Sequence, residues 1–508
     1  MSKINPQTLA ALLSLAFLTA CGSEVSSTDP ASTAAATPTT TESAATSVTD
    51  VVQTQLGAVR GETVTEVGKT ARIFRGIPYA AAPVGELRWK APQPAAAWQG
   101  VRDAIEWPNR CPQGESSMGA GGPIDEDCLY LNVVTAADSS GDMRPVMVFF
   151  HGGGLTSGTG NSTTYNHPML PSKGVVLVTV NSRLGPIGYL AHPALSAEDK
   201  NGVSGNYGTL DLRASLQWVQ ANIKAFGGDP NNVTIFGESG GGTKTISQMS
   251  TPLAHGLFHK AIVESGSSLV TPERITMLKD AEATGEKLVA SLGIDNGADN
   301  VLSMMRAATW QDLIAAGGND EVDFRANVVV DGHIIPDTVN NLFKQGKQAD
   351  VPLIVGANTG ESSLTSNVPL MANLHSGSAT SPTYVYNFSQ LPKGWREEQG
   401  CVAFHGLELT YVFGAVPIGL TSRTTLFLAR RGGCSVAVPE HDEIDMKVAD
   451  YAATIWAQFA KSSNPSVEGL VEWPAYTEAN NRYLDIGAEP IVKDRIQDAY
   501  IAPPDGEG

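Results

Sequence analysis

The stretch "VTIFGESGGGTKT", Val233 to Thr245, decides how the rest of the chain is read. Four β-branched or apolar residues run into glycines packed around Ser239. Glycine loses more backbone entropy on folding than any other residue and makes a poor helix, so such a run implies special backbone angles or very close packing. Gly237-Glu238-Ser239-Gly240-Gly241 has the form GxSxG at a strand-to-helix junction. This is the nucleophile elbow, a sharp turn that thrusts the serine into a cleft. A glycine-rich turn with an N-capping serine would read similarly. Lys244-Thr245 superficially suggests a phosphate-binding loop, although the GxxxxGK[ST] spacing is missing.

The flanking sequence sets the elbow in an α/β sheet. "VMVFF" (Val146 to Phe150), "GVVLVTV" (Gly174 to Val180), "VTIF" (Val233 to Phe236), "AIVE" (Ala261 to Glu264) and "PLIV" (Pro352 to Val355) lack period-two alternation. Continuous apolar strands are covered on both faces. In "DLRASLQWVQANIKAF", Leu212, Leu216, Val219 and Ile223 fall at helical spacing. The alternation predicts an α/β fold, a mainly parallel central sheet covered by helices on both faces. Ligands in such sheets bind beyond the carboxyl ends of the strands, where Ser239 falls.

A second glycine motif supports the elbow. "VMVFFHGGGLTSG" places His151-Gly152-Gly153-Gly154 directly after a strand, an arrangement whose backbone N–H groups face a developing oxyanion. His151 is read as structural, since it precedes the elbow. A serine hydroxyl needs a base, which an acid must orient, and with this elbow the chain order is Ser, then Asp or Glu, then His. Glu361 in "VPLIVGANTGES" sits on a Gly/Asn-rich loop after a buried strand, where an orienting carboxylate belongs. Asp331 in "VVVDGH" is the rival, with a turn residue as its plainer reading. His255 and His259 lie too near the elbow helix, and these mechanics leave His375, His405 and His441 open as the base.

From about Gly57 to Tyr483 the chain resembles the type B carboxylesterases, the family of cholinesterases and bacterial para-nitrobenzyl esterases. The likeness is carried by "FRGIPYAAAPVGELRWKAPQP", "EDCLYLNV", "HGGG", "NSRLGPIGYL", "GNYGTLDLRASLQWVQANIKAFGGDPNNVTIFGESGGG", "FHGLELTYVF" and "WAQFAKSSNP". The resemblance implies an α/β-hydrolase fold with Ser239 as nucleophile, Glu361 as acid and His405 as base. It implies oxyanion N–H groups from Gly153, Gly154 and Gly240, and a supporting Ser265 beside the histidine. Gly240 stands where the family usually carries alanine. The tryptophan that cholinesterases place before "EDC" is absent from "SSMGAGGPIDEDC", so a choline specificity is not implied. Cys111 and Cys128 resemble the family's N-terminal disulfide pair. The implied activity is hydrolysis of small-molecule carboxylic esters through an acyl-enzyme, without a cofactor. Amide or carbamate hydrolysis would use the same parts, and a non-catalytic adhesion member would lack a triad residue, whereas all three are present.

The N-terminus reads as an export signal. Lys3 precedes an apolar run from Leu9 to Leu18, too short to span a bilayer but suited to a signal peptide over residues 1–20. "LTAC" resembles a bacterial lipobox, with Cys21 as the lipidated residue, and residues 21–50 are Ser/Thr/Ala-rich, as a disordered tether would be. This predicts a protein lipid-anchored to the bacterial cell envelope, with a secreted form as the alternative. One catalytic domain is expected over residues 51–508. Setting Cys21 aside leaves four cysteines, and counting pairs Cys401 with Cys434. No Cys/His cluster has zinc spacing, so no metal is expected. The formal net charge of −18 argues against a nucleic-acid partner.

A final expectation concerns the pocket. Glu361 and His405 are closer in sequence than is usual in the family. The intervening "SSLTSNVPLMANLHSGSATSP" is rich in Ser, Asn, Gly and Pro and reads as a loop. A thin wall there predicts an open, largely apolar pocket for bulky neutral esters, with little preference for cationic alcohols.

Overall fold

The structure, a computed structural model, describes residues 46–114, 121–271, 275–435 and 437–504. The expected signal peptide, Cys21 and all but the end of the tether lie outside the described residues. Residues 45–508 form one compact unit. Its packing begins slightly before the expected boundary, since Val48 is buried and its N–H donates to the Asp138 carbonyl at 2.9 Å.

Eleven strands build the central sheet: β1 (Glu62–Glu66), β2 (Lys69–Pro78), β3 (Tyr130–Thr135), β4 (Arg144–Phe150), β5 (Val176–Val180), β6 (Gly228–Glu238), β7 (Lys260–Glu264), β8 (Leu353–Asn358), β9 (Thr383–Phe388), β10 (Arg482–Ile486) and β11 (Pro490–Asp494). Their order is β11-β10-β9-β8-β7-β6-β4-β5-β3-β2-β1. The pairs from β5 through β4, β6, β7, β8 and β9 to β10 are parallel, and the outer strands pair antiparallel. All five predicted apolar runs lie in this parallel block.

The absence of alternation in those runs has the expected cause, a separate apolar core on each face. Val146, Val148 and Phe150 of β4 pack into one core with Leu212, Leu216 and Val219 of helix α1 (Tyr207–Asn222). Met147 and Phe149 point the other way, into a core filled by Val448, Ile455, Trp456 and Phe459 of the long helix Glu443–Ser462. Neighbouring residues on a strand thus both find apolar partners.

Two further helices bear on the site: α2 (Gly240–Ser250), which follows the elbow, and α3 (Asn367–Ser378). The second corrects the loop expected between Glu361 and His405. Val368, Met371, Ala372 and His375 are buried at helical spacing. Pro369 falls in the first turn, where no backbone donor is needed, so it does not break the helix. None of residues 362–382 lines the cavity at Ser239, so the wall expected from this segment is built elsewhere.

Candidate active site

The end of β6 turns into α2 at Ser239, which has φ 58° and ψ −121°. A non-glycine residue rarely adopts such angles, and it is held there by neighbours without side chains. A methyl on Gly241 would lie 1.9 Å from the Phe150 carbonyl oxygen, and one on Gly237 would meet the same atom at 2.5 Å. Ser239 occupies the N-cap position of α2, yet its side chain makes no capping hydrogen bond. The hydroxyl is therefore not consumed by the helix, which removes the plainer reading of the motif.

The loop after β4 lies against this turn. Gly153 and Gly154 have φ of 99° and 61°. A side chain on Gly153 would collide with the Ser157 carbonyl, at 2.2 Å. Gln113 braces the far end of the loop by exchanging two hydrogen bonds of 2.9 Å with Gly158. That glutamine lies two residues past Cys111, whose disulfide to Cys128 is formed. His151 is not among the residues lining the cavity at Ser239. It is buried beside Lys244 of α2, whose ammonium donates to the His151 carbonyl at 3.0 Å. Burial pushes the Lys244 pKa down to about 7, and burial together with the Lys244 charge holds that of His151 well below its usual value.

Across the cavity, His405 Nδ1 lies 2.8 Å from Glu361 Oε2. The other oxygen of Glu361 accepts from the Asn358 N–H at 2.9 Å and from the Ser265 hydroxyl at 2.6 Å. Ser265 thus bonds Glu361, which in turn bonds His405. Asn358 also donates from its side chain to the Phe404 carbonyl at 2.6 Å, which ties the glutamate loop to the histidine loop. The alternatives are placed elsewhere. Asp331 accepts three backbone N–H groups within its own turn. His375 is buried against Thr383, and His441 is exposed just before the N-cap Asp442 of the long helix.

Ser239, His405, Gly153 and Gly154 line one cavity of about 800 Å³, within the usual range for small-molecule sites. Three more carboxylates belong to this site, and the sequence reading did not single them out: Glu238, which lines the cavity itself, Glu264 and Glu408. His405 Nε2 lies 3.1 Å from Glu238 Oε1. Glu264, the β7 register partner of Glu238, accepts from the Trp456 indole at 2.6 Å, and Glu408 accepts from Asn358. Burial pushes Glu238 up to about 7 and Glu264 up to about 8. Glu408 is pushed well above the carboxylate range by burial and by the charges of Glu238 and Glu361. Burial alone would lower the pKa of His405, but Glu238, Glu361 and Glu408 reverse this and raise it to about 10. Glutamates inside the apolar runs "AIVE" and "GLELTYVF" were the available signal, because a charge in such a run is rarely placed for packing.

The second predicted disulfide, Cys401–Cys434, is also formed. Among the described residues there is no cluster of side chains able to hold a metal ion and no helix long and apolar enough to cross a membrane.

Comparison with known proteins identifies the family. The carboxylesterase family profile matches residues 48–373 and 362–502. The chain is 32% identical over 504 residues to the para-nitrobenzyl esterase of Bacillus subtilis (strain 168), covering 87% of this chain and 96% of that protein. It is 32% identical over 493 residues to the fumonisin B1 esterase of Sphingopyxis macrogoltabida, with 86% of each chain covered. A solved para-nitrobenzyl esterase structure superimposes with a TM-score of 0.75 at 29% identity, covering 89% of this chain and 99% of that one. Likeness in sequence and backbone over nearly the whole compact unit places the chain in the carboxylesterase family, with the α/β-hydrolase fold and the activity of a serine carboxylesterase.

Proposed function

We propose that Ser239, His405 and Glu361 act as nucleophile, base and acid, with the N–H groups of Gly153, Gly154 and Gly240 as the oxyanion hole. The observation that carries this reading is a strained, uncapped serine sharing one cavity with a histidine whose far nitrogen is held by Glu361 at 2.8 Å. Ser239 Oγ attacks the ester carbonyl carbon while His405 Nε2 takes its proton, and the oxyanion is met by backbone donors. Collapse breaks the bond to the alkoxy oxygen, which leaves with the proton from His405. Water then repeats both steps on the acyl-serine, releasing the acid. Glu361 and Glu238 stabilise the imidazolium formed in each step.

The experiment combines substitution with labelling. Ser239→Ala and His405→Ala should each remove nearly all turnover of a para-nitrophenyl ester, while His441→Ala and His375→Ala stay close to the parent. A fluorophosphonate should label Ser239 alone. Near-normal turnover in Ser239→Ala, or an adduct on another residue, overturns the assignment. Export and lipid anchoring through Cys21 belong to the same proposal and rest on the leader sequence.

A further inference from the structure

The wall of the cavity is built by residues after His405, chiefly the helix α4 (Arg423–Arg431), and its charge is out of keeping with the rest of the chain. The whole sequence carries 52 acidic residues against 34 basic ones. From Leu409 to Pro439, however, there are three arginines and no Asp or Glu. Two of those arginines, Arg423 and Arg431, line the cavity that contains Ser239. They stand at i and i+8 with Phe427 at i+4, so one helix face presents arginine, phenylalanine and arginine in line. Phe427 is 58% exposed, and the Arg431 guanidinium lies 5.4 Å from its ring centroid.

Stability accounts for Arg431, which sits in the last turn of α4, where a cation is favoured by the helix dipole. It does not account for Arg423. This residue opens the helix, where the dipole disfavours a cation, and among the described residues it makes no salt bridge. Arg423 is exposed, so solvent meets its charge when the cavity is empty, and it lines the same cavity as Ser239 beside an exposed aromatic ring, where a charged substrate group would reach it.

We propose that Arg423, with Arg431, makes this enzyme select esters that carry a carboxylate, the arginines holding the charge while Phe427 covers the apolar part of the same substrate. This rests on the ester-hydrolase reading of the Ser239 cavity and departs from the neutral-ester expectation drawn from the sequence. Cationic substrates are disfavoured by the same wall.

The test measures kcat/KM for matched pairs that differ only in charge. On the acyl side, mono-para-nitrophenyl esters of dicarboxylic acids from glutarate to suberate are compared with the alkanoate of equal length. On the alcohol side, para-acetoxybenzoate is compared with para-cresyl acetate. The parent is expected to prefer the anionic member of at least one pair by about tenfold or more, and the preference should shrink as salt is raised. In Arg423→Gln, and further in the double variant with Arg431→Gln, the ratio of anionic to neutral kcat/KM should fall by about tenfold. Because both esters are measured on one preparation, any loss of folded protein cancels from the ratio. Equal or better turnover of the neutral member in every pair, or a ratio unmoved by Arg423→Gln, overturns the proposal. Ser239→Ala run alongside separates the two readings. Residual turnover there indicts the nucleophile, whereas a missing charge preference with a dead Ser239→Ala indicts only the arginines.

Discussion

Gly240 and Gly154 approach so closely that a methyl group on Gly240 would lie 2.6 Å from the Gly154 amide nitrogen. The residue after Ser239, the proposed nucleophile, and the loop bearing two proposed oxyanion donors are therefore fitted to each other. Gly240→Ala, although it restores the residue usual in the family, should push the Gly154 N–H away and lower kcat by about tenfold. Outright loss of one such donor costs about 10²–10³. The Tm should change little. A kcat equal to the parent's would show that the loop gives way freely.

The contact of Glu238 with His405 sets the expected pH profile. Glu238 and Glu361 raise the pKa of His405 to about 10, and a base must be unprotonated to work. The acid limb of kcat/KM should therefore lie above the ordinary imidazole range. Glu238→Gln removes one opposite charge, so the limb should move to lower pH by about one to three units. Its plateau should also fall, because the imidazolium of the transition state loses a partner. A pH–rate profile with its acid limb unmoved would exclude this coupling.

Lys244 predicts an unusual pH dependence of stability. Its pKa is lowered by burial to about 7, so between that pH and the unfolded value of 10.5 the unfolded chain binds more protons and stability rises with pH. Below pH 7 the full penalty, about 5 kcal/mol, is present. Lys244→Met removes it but leaves the His151 carbonyl without its donor, at a cost of about 1–3 kcal/mol. The variant should melt higher than the parent at about pH 6 and lose that advantage toward pH 10. An advantage constant across this range would show that Lys244 does not titrate in the fold.

The elbow, the HGGG loop and the parallel strands were legible because each follows from a local rule. A strand covered on both faces cannot alternate, and a backbone crossing another at contact distance cannot carry a methyl group. Helix α3 was less legible. Its apolar set at Val368, Met371, Ala372 and His375 was present, but the surrounding Ser, Asn and Pro obscured the period. The carboxylates around His405 could not be assembled from sequence at all. Glu238 and Glu264 meet through the parallel register of β6 and β7, and Glu408 arrives from a different segment. The arginine wall was hidden for a similar reason, since only the folded chain brings Arg423 and Ser239 to one cavity.

The proposed export and lipid anchor make their own prediction. Cys21→Ala should move the protein from the membrane fraction to the soluble one without altering kcat/KM, since the compact unit holds every proposed catalytic group. Wild-type protein found soluble and unlipidated outside the cell would remove the anchor while leaving the enzyme chemistry untouched.

The two disulfides should fail in different ways. Cys401 lies four residues before His405 and Cys434 three residues after Arg431, so their bridge ties the segment of the proposed base to the end of the arginine wall. The Val402 N–H donating to the Gly432 carbonyl at 2.9 Å runs beside it. Closing a loop across a separation of 33 residues stabilises the fold by about 3–4 kcal/mol in the chain-entropy picture. Replacing both cysteines with alanine should lower Tm accordingly and also loosen His405 and α4 together. Turnover of the larger, carboxylate-bearing esters should then fall more than that of a simple acetate. Removing Cys111–Cys128 instead loosens Gln113 and the loop it braces at Gly158. That loop carries the proposed oxyanion donors, which every ester would use, so kcat should drop by a similar factor for all substrates. If both pairs of variants lower all substrates equally, the Cys401–Cys434 bridge holds the fold but not the wall.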